Sequence, residues 1–116
     1  MFEQFFNKIQ EKNKAIKVIG VWGKDGLELE RGFYTELNDI DLEFSGAEIA
    51  DIISKLDKTR ISPETFYLKL DFYNHHLRIF SLTRDFFLMV ISKENIIDAK
   101  LNFYLNLYKD QFIASL

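Results

Sequence analysis

Between residues 65 and 92 the sequence strings together three runs rich in aromatic and β-branched residues, separated only by short polar pairs. Residues 65–73 (TFYLKLDFY), 76–83 and 86–92 are each of strand length, and Asn74-His75 and Arg84-Asp85 read as the turns between them. Connections that short join antiparallel neighbours, because a parallel crossover needs a dozen residues or more. The C-terminal half therefore has to be a meander, and the remaining elements must complete a sheet around it.

Those elements are readable from periodicity. Phe2, Phe5, Phe6 and Ile9 recur at helical spacing, and the polar stretch 11–14 ends that helix. Residues 15–23 (AIKVIGVWG) are apolar or small everywhere except Lys17, the pattern of a strand covered on both faces. Lys24-Asp25-Gly26 supplies a hairpin turn, since Asp-Gly tolerates positive φ. In the strand 27–34 that follows, Leu27, Leu29 and Phe33 are expected on one face, with Glu28 and Glu30 on the other, guarding an edge. Ser45-Gly46-Ala47-Glu48 matches a capping box, and Ile49, Ile52, Ile53 and Leu56 form the buried stripe of the helix it opens. From about Asn95, the residues Ile97, Leu101, Tyr104, Leu105, Tyr108 and Phe112 define a long last helix. The order α-β-β-α-β-β-β-α predicts an α+β domain spanning 1–116, a five-stranded antiparallel sheet with helices on both faces.

Composition narrows the function classes. The 116 residues contain no cysteine, which removes disulfides, thiolate metal sites and a cysteine nucleophile together. A net charge of -3 offers no basic field for nucleic acid. The opening MFEQFFNKIQ lacks the basic start and continuous apolar segment of a secretory signal, and no run is long enough to span a membrane, so a cytoplasmic location is expected. Aromatic residues are abundant, with 12 Phe, 5 Tyr and 1 Trp. A domain of this size buries about two thirds of its unfolded surface, so that many rings hint at a covering partner.

Catalytic patterns are sparse. His75 and His76 are adjacent, so on a strand they would point to opposite faces and could not share one metal ion; a polar turn is the simpler reading. Gly20, Gly23 and Gly26 stand before a strand, whereas both phosphate-binding glycine motifs precede a helix. No metal or cofactor is expected. One charge asymmetry stands out. Asp25, Glu28, Glu30, Glu36, Asp39, Asp41, Glu43, Glu48 and Asp51 face only Arg31 across 25–51, either a solvated surface or one that steers a basic partner.

Taken in order, the leading helix, the hairpin KVIGVWGKDGLELERG (17–32), the small-residue helix SGAEIADIISKL (45–56), the three closing strands and the last helix resemble the Roadblock/dynein light chain family, in its prokaryotic form, over nearly the whole chain. The resemblance implies a longin/profilin-like fold with sheet order 2-1-5-4-3, dimerisation through the middle helix and third strand, and a noncatalytic role as scaffold or regulator of small Ras-like GTPases.

The residues argue for the same assembly. The strand order leaves 27–34 and 65–73 as free edges, and the second is long, proline-free and aromatic, blunted only by Lys69 and Asp71. A two-fold copy would cover it, burying on the order of 1,600 Å² or more. Gly46, Ala50 and Ser54 recur every four residues as a small-residue ridge that admits a second helix. The expected dimer interface is Gly46, Ala50, Ile53, Ser54, Phe66, Tyr67, Leu68, Lys69, Asp71 and Tyr73, with Glu48, Asp51 and Lys55 as the rim that meets a GTPase. An arginine finger would have to come from Arg31, Arg60, Arg78 or Arg84, and no context selects one. Two other readings stay open, a PAS- or GAF-like small-molecule sensor and a structural subunit of a larger complex.

Overall fold

The computed structural model describes residues 2–33, 48–52, 54–55, 67–72, 75–93 and 96–116. The elements are α1 (Glu3–Lys12), β1 (Ile16–Gly23), β2 (Glu28–Phe33), a middle helix α2 described over 48–52 and 54–55, β3 (Tyr67–Phe72), β4 (His75–Ser81), β5 (Phe86–Ser92) and α3 (Asp98–Ala114). All neighbouring strands pair antiparallel in the order β2-β1-β5-β4-β3. The expected sheet order and element order are both present.

Two cores flank the sheet. On one face, Phe2, just before α1, with Phe6 and Ile9 of α1 and Leu101, Leu105 and Phe112 of α3, packs on Ile19, Val21, Leu88 and Val90. On the other, Ile49 of α2 packs with Val18, Trp22, Leu77, Ile79, Phe87, Met89 and Ile91. β1 is buried on both faces, as its sequence predicts. Some of the many rings go inward: Phe2, Phe6 and Phe112 meet with centroids 5.6 to 6.0 Å apart. Phe5 closes on Phe112 at 5.0 Å. Among the described side chains only Tyr67 and Phe103 are exposed rings, and Phe33, Tyr34, Phe44, Phe66, Phe72 and Tyr73 lie outside that set.

Two glycines are sterically required. Gly26 turns the β1–β2 hairpin at φ 90°, a left-handed conformation that side-chain-bearing residues avoid. A Cβ on Gly20 would stand 2.6 Å from the Trp22 ring and 2.9 Å from the Glu30 carbonyl oxygen. Glycine thus lets the indole lie flat along its own strand.

Bulges overturn one expectation. Val21 pairs with Glu30 and Trp22 with Glu28, which leaves Leu29 as the extra residue. That residue breaks the alternation, so Glu28 and Glu30 fall on opposite faces instead of sharing one. Glu30 turns toward α1 and accepts the Phe2 N–H at 2.6 Å, while Glu28 pairs with Arg31 at 2.9 Å. Leu27 and Leu29, expected on a common apolar face, are 71% and 44% exposed. A second bulge at Lys17 places Ile16 in the α1–α3 core although Val18, two residues on, lies in the α2 core. His75 also departs from its expected place: it is not in the turn but is the first residue of β4, buried and paired with Phe72.

Candidate protein-protein interface

β3 is an edge strand, hydrogen-bonded to β4 alone among the described residues. Strand alternation divides its side chains. Leu68 and Leu70 point to the α2 side and pack against the core there. Tyr67, Lys69 and Asp71 point to the α3 side, opposite Phe80, Arg78 and His76 of β4.

On that side the charged residues form a network around Arg78. Its guanidinium, 3% exposed, donates from Nε to Asp98 Oδ1 at 2.8 Å and from Nη1 to Asp71 Oδ1 at 2.7 Å. Asp98 also accepts from Lys69 Nζ at 2.7 Å and from the Tyr67 hydroxyl at 3.2 Å. His76 Nδ1 lies 2.8 Å from Asp71 Oδ1. Burial works against the charge on Asp98, but the hydrogen bonds from Lys69 and Arg78 outweigh it and hold the carboxyl down at about 2. Hydrogen bonds from Arg78 and then His76 lower Asp71 as well. For Arg78, burial disfavours the cation, yet its two carboxylate partners leave its pKa raised. Burial and the neighbouring Asp98 charge push the Tyr67 hydroxyl up to about 12.

Lys69 and Asp71 are therefore more than blunting charges on an edge: Lys69 ties β3 to the first turn of α3, and Asp71 holds the Arg78 of β4 that also binds Asp98. Asp98 sits in that first turn, where the helix dipole also favours a carboxylate. The network was invisible in the sequence, since Arg78 and Asp98 stand far apart in the chain and neither carries a local motif. Arg78 is also removed from the arginine-finger candidates, being buried and committed to two carboxylates.

In α2, Ile49 packs against the sheet and Ala50 is buried at 8% exposure, while Glu48, Asp51, Ser54 and Lys55 are exposed. Asp51 and Lys55 pair with each other at 3.0 Å, one helical turn apart. Of the small residues spaced every four along this helix, Ala50 is thus covered and Ser54 open. Gly46, Ile53, Phe66 and Tyr73, with the capping box and much of the acidic segment, lie outside the described residues. No group of three or more His, Asp or Glu residues is placed to hold a metal ion among the described residues. No described helix is long and apolar enough to cross a membrane.

No family model and no curated protein matches the sequence. Solved structures do match in three dimensions. The gliding protein MglB from Thermus thermophilus aligns with a TM-score of 0.79 at 9% identity, covering 97% of this chain and 85% of that one. A Roadblock/LC7 domain from Streptomyces avermitilis aligns at 0.73 and 10% identity, covering 93% and 91%. Profilin IA from Acanthamoeba castellanii aligns at 0.61 and 13% identity, covering 99% and 98%. At these identities the likeness is one of architecture: this chain has the fold of MglB and Roadblock/LC7 domains, and shares it more distantly with profilin.

Proposed function

We propose that the protein is a Roadblock-type regulatory subunit that forms a homodimer and binds a small Ras-like GTPase. The observation that carries this reading is the alignment with MglB over 97% of the chain. The surface is compatible with it. Among the described residues β3 pairs with β4 alone, its Leu68 and Leu70 pack on the same core as Ile49 of α2, and α2 exposes Glu48, Asp51, Ser54 and Lys55.

In this reading two copies pair β3 edges and α2 helices around a two-fold axis, joining two sheets into one. The paired α2 helices then form a platform rimmed by Glu48, Asp51 and Lys55. The subunit contributes no reacting group. It alters hydrolysis by ordering the GTPase's switch loops around the GTPase's own catalytic residues, or it anchors the GTPase without changing its rate.

The test mixes the purified protein with the Ras-like GTPases encoded near it, reading complex formation by size-exclusion chromatography and GTP turnover by phosphate release. A complex that is weakened severalfold by Glu48→Lys together with Asp51→Lys supports the reading. Absence of a complex with every one of those GTPases overturns it.

A further inference from the structure

A cleft of about 330 Å³ opens between α3 and the β3–β4 corner of the sheet, on the face opposite α2. Its size falls within the range of about 300–1,000 Å³ usual for small-molecule sites. Phe80, Leu88, Leu105 and Phe112 form its apolar lining, and the Tyr67 ring stands against Phe80 at 4.7 Å.

The rim on the α3 side is polar. Leu101, Leu105, Tyr108 and Phe112 are the stripe by which α3 joins its core. Beside it runs a second ridge, Asn102, Asn106 and Lys109, at helical spacing i, i+4, i+7, and all three line the cleft. Asparagine is a weak helix former, so two of them in the middle of α3 cost stability unless they are used. None of the three makes a side-chain hydrogen bond or ion pair with another described residue. Two carboxamides and one ammonium therefore line the cleft beside its apolar floor, free to engage a ligand.

We propose that this cleft binds a small amphiphilic carboxylic acid, with an alkyl or aryl body on the Phe80–Leu88–Phe112 lining and its carboxylate at Lys109, hydrogen-bonded by Asn102 and Asn106. Charge complementarity selects the anion: a cation would meet Lys109, and a neutral alcohol would leave the ammonium without a counter-charge. The site lies across the sheet from α2, so it stands whether or not the GTPase reading holds.

Sodium octanoate and 1-octanol, which share a chain length and differ in charge, are the probes. Titration of the ¹⁵N-labelled protein followed by amide shifts should show saturable octanoate binding, with the largest changes at β4 and the middle of α3. Octanol should bind at least threefold more weakly. Lys109→Met should bring octanoate down to the octanol level and leave octanol unchanged, and Lys109→Arg should restore the difference; thermal melts check that both variants stay folded. Equal affinities for the two probes, an unchanged octanoate affinity in Lys109→Met, shifts centred on the outward Phe103 and Leu107, or no saturable binding at millimolar octanoate would each overturn the proposal.

Discussion

Asp98 draws three side chains from two strands onto one carboxylate, and its consequences can be measured singly. Its folded pKa of about 2 lies below the unfolded value of about 3.9, so the stability it contributes is complete above that value and is lost as the pH falls toward 2. Urea midpoints should therefore drop between about pH 4 and pH 2, and Asp98→Asn should flatten that limb. Tyr67 works in the opposite sense. Its pKa is raised to about 12, so its share is present below pH 10 and lost on the way to 12. Arg78→Met leaves Asp98 without its buried partner and should destabilise by about 1–3 kcal/mol, less than for a fully buried pair because the Asp98 side chain is 31% exposed. Gly20→Ala places a methyl group against an indole and a backbone carbonyl, neither of which can retreat easily, and should cost about 1–3 kcal/mol in urea unfolding.

Helix α1 depends on a strand for its start. Phe2 precedes its first turn and provides no side-chain cap, so the Glu30 carboxylate, delivered by the β2 bulge, receives the Phe2 N–H instead. A carboxylate at that end also suits the helix dipole. Glu30→Gln keeps the shape and removes the charge, and should lower stability by about 1 kcal/mol. Hydrogen exchange should speed up in α1 ahead of the sheet. The aromatic contacts of Phe2, Phe5 and Phe6 with Phe112 then join α1 to the C-terminal end of α3, so loosening α1 should loosen that end too.

At the scale of the whole molecule, the sheet of the described residues ends in two edge strands with different chemistry. At β2, the Glu28–Arg31 pair and a bulge break up the edge. At β3, the charged side chains are drawn toward α3, and the backbone edge is the surface proposed to pair with a second copy. Ser54 is exposed on α2, so Ser54→Arg should leave the monomer's far-ultraviolet spectrum unchanged. Light scattering should show a dimer at micromolar concentration for the wild type and a monomer for Ser54→Arg. The wild type's melting temperature should rise with concentration, as linkage to association requires. A wild-type monomer would remove the dimer from the proposal.

The sequence by itself determined the element order, the two-faced burial of β1, the Asp25-Gly26 turn and the two edge strands. Each of these depends on side-chain period or turn chemistry within a few neighbouring residues. Only the tertiary structure decided that Glu28 and Glu30 part company, that Ile16 and Val18 face different cores, and that His75 begins a strand. It likewise decided that Arg78 is an internal clasp and that Asn102, Asn106 and Lys109 share a cleft with Phe80. Bulges, ion-pair networks and clefts are set by partners on other elements, and no local pattern records which partner will arrive.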